Sequence, residues 1–210
     1  MTTLVAVLAV VVTAWFGVGT AWNVRKGSAL MRWMQEGLPL LGEKTTVRWL
    51  GSTAVELCIR QAKSPFSEVT LLIFLEPRDV PWWGLSRSLG RRDTIIIRAK
   101  LRRAPEVDLE VLAPGSWSSR DALRRITGGE WSRREPASPG AQPIWHKDAA
   151  ALARADELVA EATRAGLTVR RVSVRRTEPH FQLHLAPPSP ETSSKELFQA
   201  VRALGERASG

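Results

Sequence analysis

Nineteen consecutive residues, Leu4–Trp22 (LVAVLAVVVTAWFGVGTAW), carry no charge, and all thirty Lys and Arg side chains of the chain come after them. At about 1.5 Å rise per residue this run covers roughly 28 Å as a helix, close to the hydrocarbon thickness of a bilayer. Residues 1–24 are therefore expected to form a single transmembrane anchor. A cleaved signal peptide would begin with a basic region and carry a shorter apolar core. Met1-Thr2-Thr3 offers no basic side chain, and Gly19 and Ala21 make only a poor cleavage site.

The basic flank sets the expected orientation. Arg25, Lys26 and Arg32 lie just behind the run and nothing basic precedes it, so the positive-inside rule places the N-terminus outside and the C-terminal domain in the cytoplasm. The compartment is then the plasma membrane of the cell, crossed once. Trp22 sits where an interfacial indole belongs. Cys58 stands alone, which rules out an intrachain disulfide and agrees with a reducing compartment. Within the span, Ala6, Ala9, Thr13, Gly17 and Ala21 follow spacings of three or four. Small residues on one face permit close helix–helix approach in lipid, so self-association or docking to a membrane protein partner is expected there. A segment built from Ala, Val, Gly and Thr also produces such stripes by chance.

Net charge is +9, which favours contact with polyanions such as an anionic inner leaflet. Tyr is absent and Arg far outnumbers Lys, a pattern that high-GC bacterial codon usage produces without functional demand. The remaining chain suffices for one sizeable domain or two small ones.

Along that chain, residues 25–43 read as a juxtamembrane amphipathic helix with Leu30, Met31, Met34 and Leu38 at helical spacing, broken by Gly37 and Pro39. It lies either in the membrane interface or on the soluble domain. Residues 44–127 read as an antiparallel-sheet α+β region. Thr45–Leu50 and Thr53–Ala62 are expected as one bent strand with a bulge at Gly51-Ser52. Glu68–Glu76, apolar on both faces, belongs inside the sheet. Thr94–Arg103 and Glu106–Ala113 are expected to pair as a hairpin around Ala104-Pro105. The register Leu101 to Leu109 and Ala99 to Val111 puts Arg102 opposite Asp108 and Lys100 opposite Glu110. Ser116–Ile126 reads as a short helix. Residues 128–147, rich in Gly, Pro and Ser, read as a loop or linker.

Residues 148–210 read as an α-β-β-α region, either part of the same domain or a second unit. Asp148 caps a helix ended by Gly166, with Leu152, Val159 and Ala162 inward. Leu167–Arg176 and Pro179–Ala186 form a hairpin. Ser193-Ser194-Lys195-Glu196 is a capping box that opens a final helix burying Leu197, Val201 and Leu204. The fold class is α+β: an N-terminal transmembrane helix followed by a two-layer domain, a mainly antiparallel sheet with helices on one side.

Three constellations bear on function. His180 and His184 have the spacing of metal ligands on a helix, but Phe181, Leu183 and Leu185 alternate around Gln182 as in a strand. Four strand residues separate the side chains by roughly 13 Å, too far for one ion, so no metal site is expected. Pairing Val174 with Phe181 places Arg175 opposite His180 and Arg171 opposite His184. This gives a basic sheet face without a carboxylate, suited to holding a phosphate-like anion; the plain alternative is a solvated or covered face. Between two apolar strands, Trp82 and Trp83 are followed by Arg87, Arg91 and Arg92. Indoles beside guanidiniums suit a loop that dips into the head-group layer, next to Trp22, Arg25 and Lys26. The alternative is a connection folded over the sheet edge.

No cofactor motif is present: Gly128-Gly129 lacks the lysine of a phosphate loop. No nucleophile elbow or RNA-reading aromatic pair appears, so neither an enzyme nor a nucleic-acid binder is expected. The leading expectation is a single-pass membrane-anchored cytoplasmic binding or assembly module, held at the inner leaflet by its anchor and basic surface. The rivals are a tethered domain that binds a phosphorylated or polyanionic ligand through Arg171, Arg175, His180 and His184, and an enzyme with a site outside known motifs.

Overall fold

The structure, a computed structural model, describes residues 1–126, 130–136, 138, 140–189 and 191–210. Gly128 and Gly129 lie outside the described residues. The architecture is α+β, with one long apolar helix leading into an antiparallel nine-stranded sheet.

Helix α1 (Thr2–Gln35) runs unbroken through the apolar segment and the amphipathic one. Among the described residues it is the helix long and apolar enough to cross a membrane. Its first four turns touch little, whereas its last two pack on the domain: Met34 is fully buried, with Leu30, Met31 and Trp33 beside the core. The Trp33 indole N–H donates to the Thr192 carbonyl at 2.9 Å. Residues 25–35 therefore belong to the sheet-bearing domain. The helix stops at Gly37, where a Cβ would lie 2.5 Å from Phe198, and a 3-10 turn follows at Leu38–Leu40.

The strands are β1 (Thr45–Trp49), β2 (Ala54–Ile59), β3 (Phe66–Phe74), β4 (Thr94–Leu101), β5 (Leu109–Leu112), β6 (Ser132–Arg134), β7 (Ile144–His146), β8 (Val169–Val174) and β9 (Phe181–Leu185). The helices between them are α2 (Trp83–Ser88), α3 (Trp117–Ile126), α4 (Ala150–Arg164) and α5 (Ser194–Ser209). Spatial order is β1-β2-β3-β4-β9-β8-β5-β7-β6. The inward residues of every strand except the edge pieces join one core with Leu158 of α4 and Leu197, Phe198, Val201 and Leu204 of α5. Helix α3 lies on the reverse face, where Ala122 and Ile126 meet Leu112.

Three expectations need correction. Thr45–Leu50 and Thr53–Ala62 are not one bent strand but a hairpin, β1 against β2 with Trp49 opposite Val55. Gly51, at φ +82°, makes the reversal without Cβ strain. The hairpin of Thr94–Arg103 with Glu106–Ala113 does not form either. Strand β4 has β3 on one edge and β9 on the other, so β5 is excluded and pairs with β8 and β7. A tight reversal at Ala104-Pro105 would need the positive φ that Gly or Asn supplies. Instead Arg102 is drawn away, its N–H donating to Pro65 O at 2.9 Å and its guanidinium to Ala62 O at 2.9 Å. Lys100 pairs with Glu178 rather than Glu110. Finally, residues 128–147 are not simply a loop, since β6 and β7 continue the sheet.

The later part fares better. Strands β8 and β9 pair in the expected register, Val174 with Phe181, Val172 with Leu183 and Arg171 with His184. This hairpin sits between β4 and β5, so residues 148–210 complete the same sheet. The capping box forms at Ser193 and Glu196. In α4 the inward residues are Ala151, Ala155, Leu158 and Ala162, while Val159 is exposed and Asp148 makes no cap.

Candidate functional site at the junction of the leading helix and the sheet

The connection from β3 to β4 (residues 75–93) folds back on α1. The contact face of α1 is Trp15, Gly19, Asn23 and Lys26, spaced four, four and three, which is one side of a helix. The Trp15 indole N–H donates to Arg78 O at 3.1 Å. At Gly19 a Cβ would lie 2.3 Å from that same carbonyl; only glycine lets the two backbones meet.

Below this contact lies an ionic cluster. Arg78 grips Asp93 with both nitrogens (3.1 and 2.9 Å) and donates to Asn23 Oδ1 at 3.2 Å. Lys26 Nζ reaches Asp93 at 2.6 Å, and the Glu76 N–H donates to it at 2.7 Å. Burial opposes the Asp93 carboxylate, yet the bonds from Arg78, Lys26 and Glu76 outweigh it and hold its pKa below the ordinary value. Glu76, also buried, accepts from the Trp83 indole at 2.7 Å and from Arg87 at 2.9 Å. The helix and the domain are thus tied through paired, hydrogen-bonded charges, an arrangement that is costly to break from one side.

Trp83 and Arg87 turn inward to this cluster, which leaves the other side of α2 bare. Trp82, Leu85 and Leu89 are each about 60% exposed, as is Trp22 on α1. Arg25 and Arg91 are exposed as well. Of the eight residues expected at a membrane interface, Trp22, Arg25, Trp82 and Arg91 stand on the surface. Lys26, Trp83, Arg87 and Arg92 line clefts beside α1; Lys26 ties the helix to Asp93, while Trp83 and Arg87 bond Glu76 and Arg92 bonds backbone carbonyls of its own segment. The small-residue stripe of α1 points elsewhere. At about 100° per residue, Gly17 and Ala21 lie roughly 160° around the helix from Gly19, and a Cβ on Gly17 would meet nothing within 4 Å. The domain therefore occupies one side of α1 and leaves the stripe Ala6, Ala9, Thr13, Gly17 and Ala21 open. Neither a protein-family model nor a curated protein matches this chain.

The basic sheet face is a different matter. Its premise, arginines without a carboxylate, is overturned. Glu110 of β5 lies fully buried opposite Ser173 and accepts from Arg171 at 2.7 and 2.8 Å, from Ser173 at 2.8 Å and from Arg175 at 2.6 Å. Arg175 also stacks on Trp131, 4.3 Å from the ring centre. An external anion would have to displace an internal one. His180 accepts the Leu101 N–H through Nδ1 at 3.2 Å. Both ring nitrogens of His184 are buried without a hydrogen-bond partner among the described residues. Burial first, then Arg171, Arg98, Arg125 and Arg170, push its pKa down to about 3, so it is a neutral ring within the layer under α3.

Sequence reasoning singled out Trp22, Trp82 and Trp83 and missed the ionic cluster beside them. Asn23, Glu76, Arg78 and Asp93 carry no motif. The available signal was Asn23 itself, a polar amide directly after an apolar span, and a Pro-Arg-Asp stretch that closes an apolar strand.

Proposed function

We propose that the chain is a single-pass membrane-anchored binding or assembly module whose domain rests on the cytoplasmic leaflet, with the N-terminus across the bilayer. One observation carries this reading. The exposed Trp82, Leu85 and Leu89 belong to a segment docked along α1, where Trp83 and Arg87 share a groove with Val11–Trp22. If the apolar half of α1 spans the bilayer, those side chains meet the head-group layer beside Trp22. Aromatic and leucine side chains gain there by leaving water, and the nearby arginines favour anionic lipid. The open stripe on the far side of α1 is the surface for a helix of a membrane partner or of a second copy.

Two measurements test it. Brominated lipids should quench the fluorescence of Trp82 strongly in reconstituted full-length chain, and Trp82→Phe should remove that component; unchanged quenching would refute the docking. A reporter fused at Gly210 should be active only in the cytoplasm. For the assembly role, Gly17→Leu should abolish co-purification of a stoichiometric membrane subunit, or self-association in a two-hybrid membrane assay, while leaving the domain folded.

A further inference from the structure

A cleft of about 590 Å³ opens between α1, the start of β4 and the chain after β9. Five cations line it, Lys26, Arg78, Arg87, Arg92 and Arg170, against two carboxylates, Glu76 and Asp93. Three cations are already answered within the cluster: Lys26 and Arg78 by Asp93, and Arg87 by Glu76. Arg92 and Arg170 are not. The Arg92 guanidinium donates to the backbone carbonyls of Arg87 and Arg91, and Arg170 to Thr94 Oγ1 at 2.6 Å. Neither makes an ion pair with a carboxylate among the described residues. Burial first, and then the charge of Arg92, push the Arg170 pKa down against the opposing pull of Asp93 and Glu76.

The other wall of this cleft is apolar, built by Leu30, Trp33, Pro187 and Pro188. Arg78 and Arg87 also form part of a second groove of about 870 Å³, lined along α1 by Val11, Ala14, Trp15, Val18 and Trp22. A cationic cleft thus adjoins an apolar channel that runs up the hydrophobic helix. Two half-buried guanidiniums with no carboxylate in direct contact among the described residues suit a phosphate, which offers several acceptor oxygens to their planar forks. An apolar channel beginning at the same wall suits an acyl chain.

We propose that this chain binds one anionic phospholipid, its phosphate between Arg92 and Arg170 and an acyl chain along the Val11–Trp22 groove. The proposal rests on the membrane reading above and narrows it, since the bilayer supplies the ligand. It makes the domain a reader of lipid charge as well as a tethered body.

The test uses the full-length chain in mild detergent, titrated with phosphatidylglycerol, phosphatidylcholine or inorganic phosphate and examined by native mass spectrometry. One phosphatidylglycerol should remain per chain, at least about tenfold preferred over phosphatidylcholine. R92Q/R170Q should lower that retention by about tenfold or more, R92K/R170K, which keeps the charge without the fork, should lower it by less, and R103Q, on the exposed turn after β4 and outside the cleft, should not change it. Thermal unfolding of each variant separates a lost site from a lost fold; R92K/R170K decides if the Gln pair unfolds. Equal retention by the wild type and R92Q/R170Q, or an equal fall in R103Q, would overturn the site. Inorganic phosphate bound at these arginines with no lipid adduct would overturn the lipid. Alkaline carbonate extraction of the same membranes keeps the two readings apart. Chain that is extracted refutes the anchor, whereas chain that stays embedded without an adduct refutes only the lipid site.

Discussion

Glu110 shows how one buried carboxylate decides strand order. Two arginines and a serine donate to it, and all three lie on or next to β8, so β5 is drawn to that strand. The exposed pair expected with Lys100 is worth about 0.2–1 kcal/mol. Removing one partner of a buried charge network costs about 3–5 kcal/mol. Glu110→Ala should therefore lower domain stability by about that amount in denaturant titration, far more than Glu56→Ala, whose pair with Arg48 is exposed. Sequence alternation alone could not see this, because Glu110 occupies a position indistinguishable from a solvated strand residue. His184 gives a second residue-scale prediction. Its folded pKa, about 3, lies below the unfolded value of 6.5, so the unfolded chain binds the extra proton. Stability from neutral His184 is present in full above pH 6.5 and falls away as the pH drops toward 3, on the order of 1 kcal/mol per pH unit. Asp93, also lowered, adds its own loss only as the pH falls below the ordinary carboxylate range near 4. His184→Leu should flatten the dependence between pH 6.5 and 4 in urea titrations while leaving the steeper acid limb.

Among the elements, α1 is the one whose two sides have separate tasks. Gly19 abuts the Arg78 backbone and Gly17 abuts nothing. Gly19→Leu should therefore pry residues 77–92 from the helix, at about 1–3 kcal/mol, and hydrogen exchange of that segment should rise. Gly17→Leu should leave exchange unchanged. The long apolar helix was legible in the residues because an uncharged run of that size suits little besides a bilayer or a deeply buried core. The capping box of α5 and the β8–β9 register were legible because each rests on neighbours in sequence. The β4–β5 hairpin was misread because its support was equally local, whereas its outcome depended on β9, some eighty residues downstream, occupying the edge of β4. The junction cluster escaped notice for the same reason: Asn23, Glu76, Arg78 and Asp93 come from three separated segments that only the folded chain brings within hydrogen-bond reach. Gly37 and Phe198, from opposite ends of the domain, meet likewise. Phe198→Ala should cost about 3–5 kcal/mol in chemical denaturation, because the ring is fully buried against a helix end that cannot close the gap.

For the molecule as a whole, orientation is built into the attachment. A helix rigidly fixed to its domain at Trp15, Gly19, Asn23 and Lys26 does not swing like a head on a flexible stalk. The hinge residues of such a stalk are replaced by an ion cluster, so the sheet is held at one angle to α1. The sheet itself has a longer consequence. Strands β8 and β9 sit in its middle although they are the last strands in the chain, and they alone join β1–β4 to β5–β7. As the chain leaves the ribosome, the leading helix forms first, and two half-sheets wait with open edges for their keystone. In the anchored chain we propose, the newborn protein would be held apart from its own copies through the interval when those edges are most prone to stick to one another.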